Sequence, residues 1–233
     1  MKYSKLILTV LFSSFLAACG GGGGDSTPAA AAPVASTATF PVKTILANNA
    51  KAGTLPFTLS GFSSGVALTG NGTITNGNST AATFEGSPAL QQNVTITGTG
   101  FRNGTSIPLS GTGTGYYDSN YLPIGYSGNE YIVYANSTLP STVQVNDAGT
   151  VFTGKRYTSS SKITSVGTET QTYAVQPDTA TTAILVLTSV YKNVSGTVTS
   201  TNTEKTRITT AGDLTHLSIT YVFPNGDSQV YTF

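Results

Sequence analysis

Val94-Thr95-Ile96-Thr97-Gly98-Thr99-Gly100-Phe101-Arg102-Asn103-Gly104-Thr105-Ser106-Ile107-Pro108-Leu109-Ser110-Gly111-Thr112-Gly113 is the stretch that decides the fold. On either side of its midpoint, hydroxyl residues alternate with aliphatics and glycines, the period of a strand with two unlike faces. At the midpoint, Asn103-Gly104 is the dipeptide favoured in a two-residue type I′ hairpin turn, where both positions need positive φ. That turn sets a register: Gly98 opposite Leu109, Ile96 opposite Gly111, Gly100 opposite Ile107 and Val94 opposite Gly113. Each glycine then meets an aliphatic partner, a face of alternating bulk suited to a tightly coiled sheet. On this reading a valine at Gly111 collides with Ile96. Leu68-Thr69-Gly70-Asn71-Gly72 repeats the motif of aliphatic, hydroxyl and two glycines.

Outward from this hairpin, almost every segment after Phe40 reads as a strand: roughly 40–46, 54–60, 66–75, 79–85, 92–101, 106–117, 130–139, 142–146, 150–158, 162–175, 181–192, 197–210, 214–223 and 228–233. Turn signals such as Asn76-Gly77, Ser195-Gly196 and Pro224-Asn225-Gly226-Asp227 separate them. Short links make consecutive strands antiparallel, because a parallel crossover needs a dozen or more residues. The expected fold is all-β, an antiparallel meander closed as a β-barrel or folded as a β-sandwich. Ile184-Leu185-Val186-Leu187 is continuously apolar and reads as a strand covered on both faces. Thr197 to Thr209 is almost wholly polar and reads as a solvated strand with little part in the core.

The N-terminus is built differently. Met1-Lys2-Tyr3-Ser4-Lys5 is a short positive segment, Leu6 to Leu16 is apolar, and Leu16-Ala17-Ala18-Cys19 follows. This is signal-peptide grammar, too short to remain as a spanning helix. The stretch resembles the lipobox of bacterial lipoproteins, in which the cysteine is thioether-linked to diacylglycerol before cleavage. The resemblance implies lipidation at Cys19, with a membrane as partner through that lipid. Glycine rather than aspartate at position 20 implies the outer membrane. Cys19 is the only cysteine of the 233 residues, so it has no disulfide partner within the chain. Three units follow: a lipoprotein signal peptide (1–18), the lipidated cysteine with a flexible Gly/Ala/Pro tether (19–39), and a single all-β domain (40–233). The tether has no apolar periodicity, and chain statistics give it a span of about 25 Å. A glycine run after the lipidated cysteine, ahead of a β-rich domain, is also similar to surface lipoproteins of the transferrin-binding type; no site residue carries over.

Charged residues make up 9% of the chain and the net charge is +1, which leaves no basic surface for nucleic acid. His216 is the only histidine, so several imidazole ligands to a metal are impossible, and no Asp-x-Asp cluster suggests calcium. It is expected on the polar face of its strand. No metal or cofactor is therefore expected. Gly61-Phe62-Ser63-Ser64-Gly65 matches the G-x-S-x-G string of serine hydrolases, with Asp213 and His216 following in order. A nucleophile elbow opens a helix, whereas Val66-Ala67-Leu68 continues as a strand; a hairpin loop is the reading. No catalytic set emerges, and the chain is expected to be non-enzymatic.

Six of the twelve tyrosines fall between Tyr116 and Tyr134, among asparagines and glycines, the composition of a binding loop. A link of about twelve residues is longer than a hairpin needs. Tyr117, Asp118, Asn120, Tyr121, Tyr126 and Asn129 are its candidate binding residues. Three functions follow: a lipid-anchored envelope protein with a structural or interaction role; a surface binding module for a glycan, peptide or apolar ligand through that loop; or a membrane-inserted barrel, which the aromatic C-terminal Phe233 suggests and the polar 197–209 segment opposes.

Overall fold

A computed structural model describes residues 36–233; Cys19, the signal peptide and most of the tether lie outside the described residues. In chain order the elements are β1 (Phe40–Pro41), α1 (Val42–Asn49), β2 (Gly53–Ser63), β3 (Val66–Asn76), β4 (Thr80–Phe84), β5 (Ser87–Arg102), β6 (Thr105–Tyr117), β7 (Pro123–Ser127), β8 (Tyr131–Ala135), β9 (Thr142–Val143), β10 (Ala148–Tyr157), β11 (Ser165–Pro177), β12 (Thr182–Lys192), β13 (Val198–Thr209), β14 (Leu214–Val222) and β15 (Ser228–Thr232).

Every pairing in the main sheet is antiparallel. The order runs β3-β2-β15-β14-β13-β12-β11-β10-β8-β7-β6-β5, and β5 pairs back to β3, so twelve strands close as a barrel. β4 continues the line of β3 along the first half of β5. Between barrel and sandwich, the answer is the barrel, and closure leaves no edge among these twelve strands.

The Asn103-Gly104 hairpin has the expected register at all four positions, and both turn residues have positive φ, 50° and 74°. Across β3 and β5, glycine meets glycine: Gly70 lies opposite Gly100 and Gly72 opposite Gly98. A Cβ on Gly98 would stand 2.3 Å from the Asn71 carbonyl oxygen and 2.8 Å from the Gly72 Cα. These backbones approach as closely as they do because neither carries a side chain. Gly111 behaves otherwise, since a Cβ there meets nothing within 4 Å. The expected clash with Ile96 does not arise: the pairing is right, but the space above Gly111 is open.

Alternation around the ring separates two environments. Phe57, Leu59, Leu68, Leu109, Tyr221 and Tyr231 point inward and form one core, with Phe57 and Tyr231 edge to face at 4.9 Å. Outward on the same strands stand Thr58, Ser60, Thr69, Thr97, Thr99, Ser110 and Thr112, all exposed. A second core joins Val175, Ala183, Leu185 and Ile208 to Phe40, Val42, Ile45 and Val143 at one end of the barrel.

Segment 36–50 caps that end. A strand was expected over 40–46; only Phe40–Pro41 is one, and Val42–Asn49 is a helix. Val42, Ile45 and Leu46 have helical spacing, and the first two bury a single face. The helix has no side-chain N-cap. At its C-terminus the Ala50 carbonyl accepts from Gln92 Nε2 and Ser79 Oγ, each at 3.0 Å, and Asn48 Nδ2 donates to the Gly212 carbonyl at 2.8 Å. Tertiary contacts therefore outweigh the β-branched composition that suggested a strand.

β12 buries adjacent residues on opposite faces, Leu185 inward and Val186 outward, but the outward Ile184 and Val190 are only half-buried, so the expected cover on both faces is partial. β13 differs from expectation. Ser200, Thr201, Thr203, Thr206 and Ile208 are all buried: Ser200, Thr206 and Ile208 face the interior opposite Tyr191, Leu185 and Ala183, and the outward Thr201 and Thr203 are shielded laterally by β12 and β14. The Ser63-Ser64-Gly65 portion of the hydrolase-like string is the β2–β3 hairpin, with positive φ at Ser64 and Gly65.

The seam yields the first test. Gly98→Ala must displace backbone, so it is expected to lower stability by roughly 1–3 kcal/mol, while Gly111→Ala stays within about 0.5 kcal/mol of wild type. Urea midpoints compare the two; equal midpoints would contradict the close approach of β3 and β5.

Candidate functional site

Inside the barrel, on the arc formed by β8, β10, β11 and β12, lies a polar and aromatic belt. Gly154 and Arg156 of β10 face inward beside Ile132 and Tyr134 of β8 and Glu169 of β11. The Arg156 guanidinium, 4% exposed, donates to Glu130 through Nε at 2.7 Å and Nη2 at 2.8 Å. It also sits over the Tyr191 ring, 4.9 Å from its centroid, so the cation has an ionic and an aromatic partner. Tyr134 stacks on Phe152 at 3.9 Å; a Cβ on Gly154 would lie 2.7 Å from the Tyr134 ring, which explains the glycine.

Glu169 is 2% exposed. Burial pushes its carboxyl up to about 7, against the hydroxyls of Ser189, Tyr191 and Tyr134 and the charge of Arg156, all of which favour the anion. Glu169 Oε2 and Asn202 Oδ1 are buried without hydrogen-bond partners. Nearby, Gln171 Nε2 donates to Ser189 Oγ at 3.1 Å.

The expected tyrosine loop is not a loop. β7 occupies Pro123–Ser127, leaving links at 118–122 and 128–130 that emerge at opposite ends of the barrel. Tyr117 and Tyr126 turn into the lumen, where their rings cover the glycines at 113 and 115; burial raises both phenols, so they remain neutral. Asp118 serves its own turn, accepting from the Asn120 and Leu122 amides at 2.7 and 2.9 Å. Tyr121 is half-buried with φ 62°. Asn120 and Asn129 are exposed, but the structure does not bring the six candidates together. The reason is packing: inward glycines on β6 leave a void that aromatic rings fill. Tyr134, Tyr191, Tyr221 and Tyr231 also face the lumen, and burial raises their phenols, that of Tyr231 to about 12.

His216 is not on the polar face. A register shift between Lys205/Thr206 and the partner pair Ser218/His216 inserts Leu217 as an extra residue, turning the imidazole inward. There it is 14% exposed, with Nδ1 3.4 Å from Glu204 Oε1 and its ring 5.8 Å from that of Phe233. Among the described residues, no group of three or more His, Cys, Asp or Glu could hold a metal ion.

Two clefts open on the surface of the described residues. One, of about 520 Å³, lies on the outer wall between Val133, Thr153, Lys155 and Thr170. Above it Lys162 pairs with Glu85, and Tyr131 donates to Glu85 at 2.7 Å. The other, of about 390 Å³, lies between the end of α1 and Leu214, His216 and Phe233. In comparisons with known proteins, no protein-family model, curated sequence or solved structure matches this chain.

The belt generates two tests. A carboxyl whose folded-state value exceeds its unfolded value binds more protons when folded, so stability falls as pH rises from about 4.5 to about 7. Thermal melts should therefore be higher at pH 5 than at pH 8 by an amount worth roughly a few kcal/mol, and Glu169→Gln should flatten the difference; a pH-independent wild type would refute the burial. Glu130→Ala strands a buried guanidinium and is expected to cost roughly 3–5 kcal/mol, whereas Glu130→Gln combined with Arg156→Met should recover most of it. Chemical denaturation measures both; a Glu130→Ala variant of wild-type stability would mean that the ion pair does not hold the belt.

Proposed function

We propose that the chain is a lipid-anchored, non-enzymatic protein of the bacterial cell envelope, attached to the outer membrane through Cys19, with a structural or interaction role. The polarity of the barrel wall is the observation that carries this reading. Membrane-inserted barrels turn apolar side chains outward to lipid. Over β2, β3, β5 and β6 the outward set is Thr58, Ser60, Thr69, Thr97, Thr99, Ser110 and Thr112, and aromatic and aliphatic side chains fill the interior, while the apolar outward residues Ile184, Val186 and Val190 stand on β12, on the opposite arc, and none of the three is exposed. Such a wall suits water, so attachment to a membrane falls to another device, and the lipobox at Leu16-Ala17-Ala18-Cys19 supplies one. Acyl chains contribute about 0.8 kcal/mol per buried CH₂, and two suffice for stable anchoring. The interior belt supports a structural role, because its tyrosines pack against Phe152, the Arg156 guanidinium and the glycines of β6 and β10.

Full-length protein should label with palmitate and pellet with membranes. Cys19→Ala should lose the label and be released by alkaline carbonate with its β-sheet spectrum intact. A palmitate label that persists in Cys19→Ala would sink this reading.

A further inference from the structure

The links between strands emerge alternately at two ends. One end is capped by α1 and receives the N-terminal segment, where Ser36 Oγ donates to the Ala180 carbonyl at 2.9 Å. At the other end, here the rim, emerge residues 64–65, 103–104, 128–130, 158–164, 193–197 and 223–227. Among the described residues, the large apolar side chains left exposed are Phe62 at 52%, Phe101 at 45%, Ile163 at 87% and Val194 at 73%. All four belong to the rim: Phe62 and Phe101 flank hairpin turns, and Ile163 and Val194 lie in links between strands. Four of the six rim links thus carry an apolar tip.

Charge follows the same division. Arg102 adjoins Phe101, Lys162 adjoins Ile163, and Lys192 stands two residues before Val194; all three cations are exposed. Lys162 shares its charge with Glu85. The turn aspartates Asp118, Asp147, Asp178 and Asp213 gather at the capped end, while the rim links contain two carboxylates, Glu130, which is bound by Arg156, and Asp227, which lies within the field of Arg102.

We propose that the rim seats on an anionic phospholipid surface, the four apolar tips entering the interface and Arg102, Lys162 and Lys192 meeting headgroup phosphates. A bilayer is the occupant that this arrangement fits. Separated protrusions around a ring can enter a fluid plane together, whereas a folded partner needs a continuous complementary patch. Tips pairing an apolar side chain with a neighbouring cation match the layering of an interface, with acyl carbon beneath phosphate. The contact does not depend on Cys19, so it stands or falls separately from the proposed anchor.

The test uses the full chain carrying Cys19→Ala, with vesicles of phosphatidylethanolamine and phosphatidylglycerol, and with phosphatidylcholine vesicles as the neutral control. Adding Phe62→Ser, Phe101→Ser, Ile163→Ser and Val194→Ser should lower co-sedimentation with the anionic vesicles at least tenfold. Because the signal peptide is common to both proteins, the difference belongs to the rim. Arg102→Gln with Lys192→Gln should weaken binding severalfold on anionic vesicles and leave the neutral control unchanged. If the fourfold variant loses its β-sheet spectrum, Ile163→Ser with Val194→Ser, outside the strands, carries the comparison. Equal sedimentation with and without the tips overturns the proposal. So does a concentration-dependent dimer that the tip substitutions abolish while vesicle binding stays the same, which would assign the rim to a second copy of the chain.

Discussion

The close backbone approach of β3 and β5 is the contact on which the rest of the barrel depends. A meander of this length either ends in two free edges, each a row of unpaired amides and carbonyls, or joins them. Joining requires the first strand, β2, and the last, β15, to meet in register after a full turn, and they do so along five residue pairs from Ser228↔Phe62 to Thr232↔Thr58; β3 and β5, neighbours along the chain, pair along nine from Leu68↔Arg102 to Asn76↔Val94. Four of those residues are glycines arranged as two facing pairs, Gly70↔Gly100 and Gly72↔Gly98. Side chains there would strike the opposite backbone. The same absence of bulk lets Leu109 approach Gly70 and Gly100, so an aliphatic from β6 fills the space that the seam leaves.

The consequence of glycine on one arc is aromatic excess on another. Where β6 presents Gly113 and Gly115 inward, Tyr126 and Tyr117 lie over them, and where β10 presents Gly154, Tyr134 does the same. Phenols carry oxygen into the interior, and oxygen needs partners. Arg156, Glu169, Ser189 and Gln171 belong to that polar set, which explains why a barrel so poor in charge buries two of its ionic residues. Its cost is visible at Glu169, held between the demand of burial for a neutral carboxyl and the hydroxyls that favour the anion.

Local rules with a period of two were the legible part of the chain. The register about Asn103-Gly104 followed from one dipeptide and one alternation, and most strands appear where turn residues bracket them. What failed to read failed for physical reasons. β7 hid because Pro123-Ile124-Gly125-Tyr126-Ser127 is short and glycine-interrupted. Extending the alternation of Leu109, Gly111 and Gly113 by four residues would have put Gly115 and Tyr117 on the inner face; the tyrosines were instead read by composition. α1 was lost to β-branched residues whose spacing is helical. The inward turn of His216 depends on the extra residue Leu217, which reverses the alternation after it, and nothing in the local sequence marks the insertion. β13 shows that polarity is a poor guide to exposure once a threonine stands between two others in mid-sheet.

Threonine also explains how a wall with little charge can face water. Its methyl group packs laterally against neighbouring strands, which suits the β conformation, and its hydroxyl stays outermost. Cross-strand hydroxyl pairs such as Thr73 with Thr97, at 3.1 Å, tie adjacent strands on the outside. On the arc of β2, β3, β5 and β6 apolar surface is thereby withdrawn from the wall, and the large apolar side chains stand at the ends: at one end they are covered by Phe40, Val42 and Ile45 from the capping segment. At the other no equivalent segment lies over Phe62, Phe101, Ile163 and Val194 among the described residues. Two ends built on the same strands, one covered by the chain itself and one ringed with apolar tips beside cations, make the barrel directional. On the proposed reading the anchor and the rim act from opposite ends. The segment between Cys19 and Ser36 can extend to roughly 55–60 Å, long enough to let the barrel turn its rim toward the membrane that holds its N-terminus.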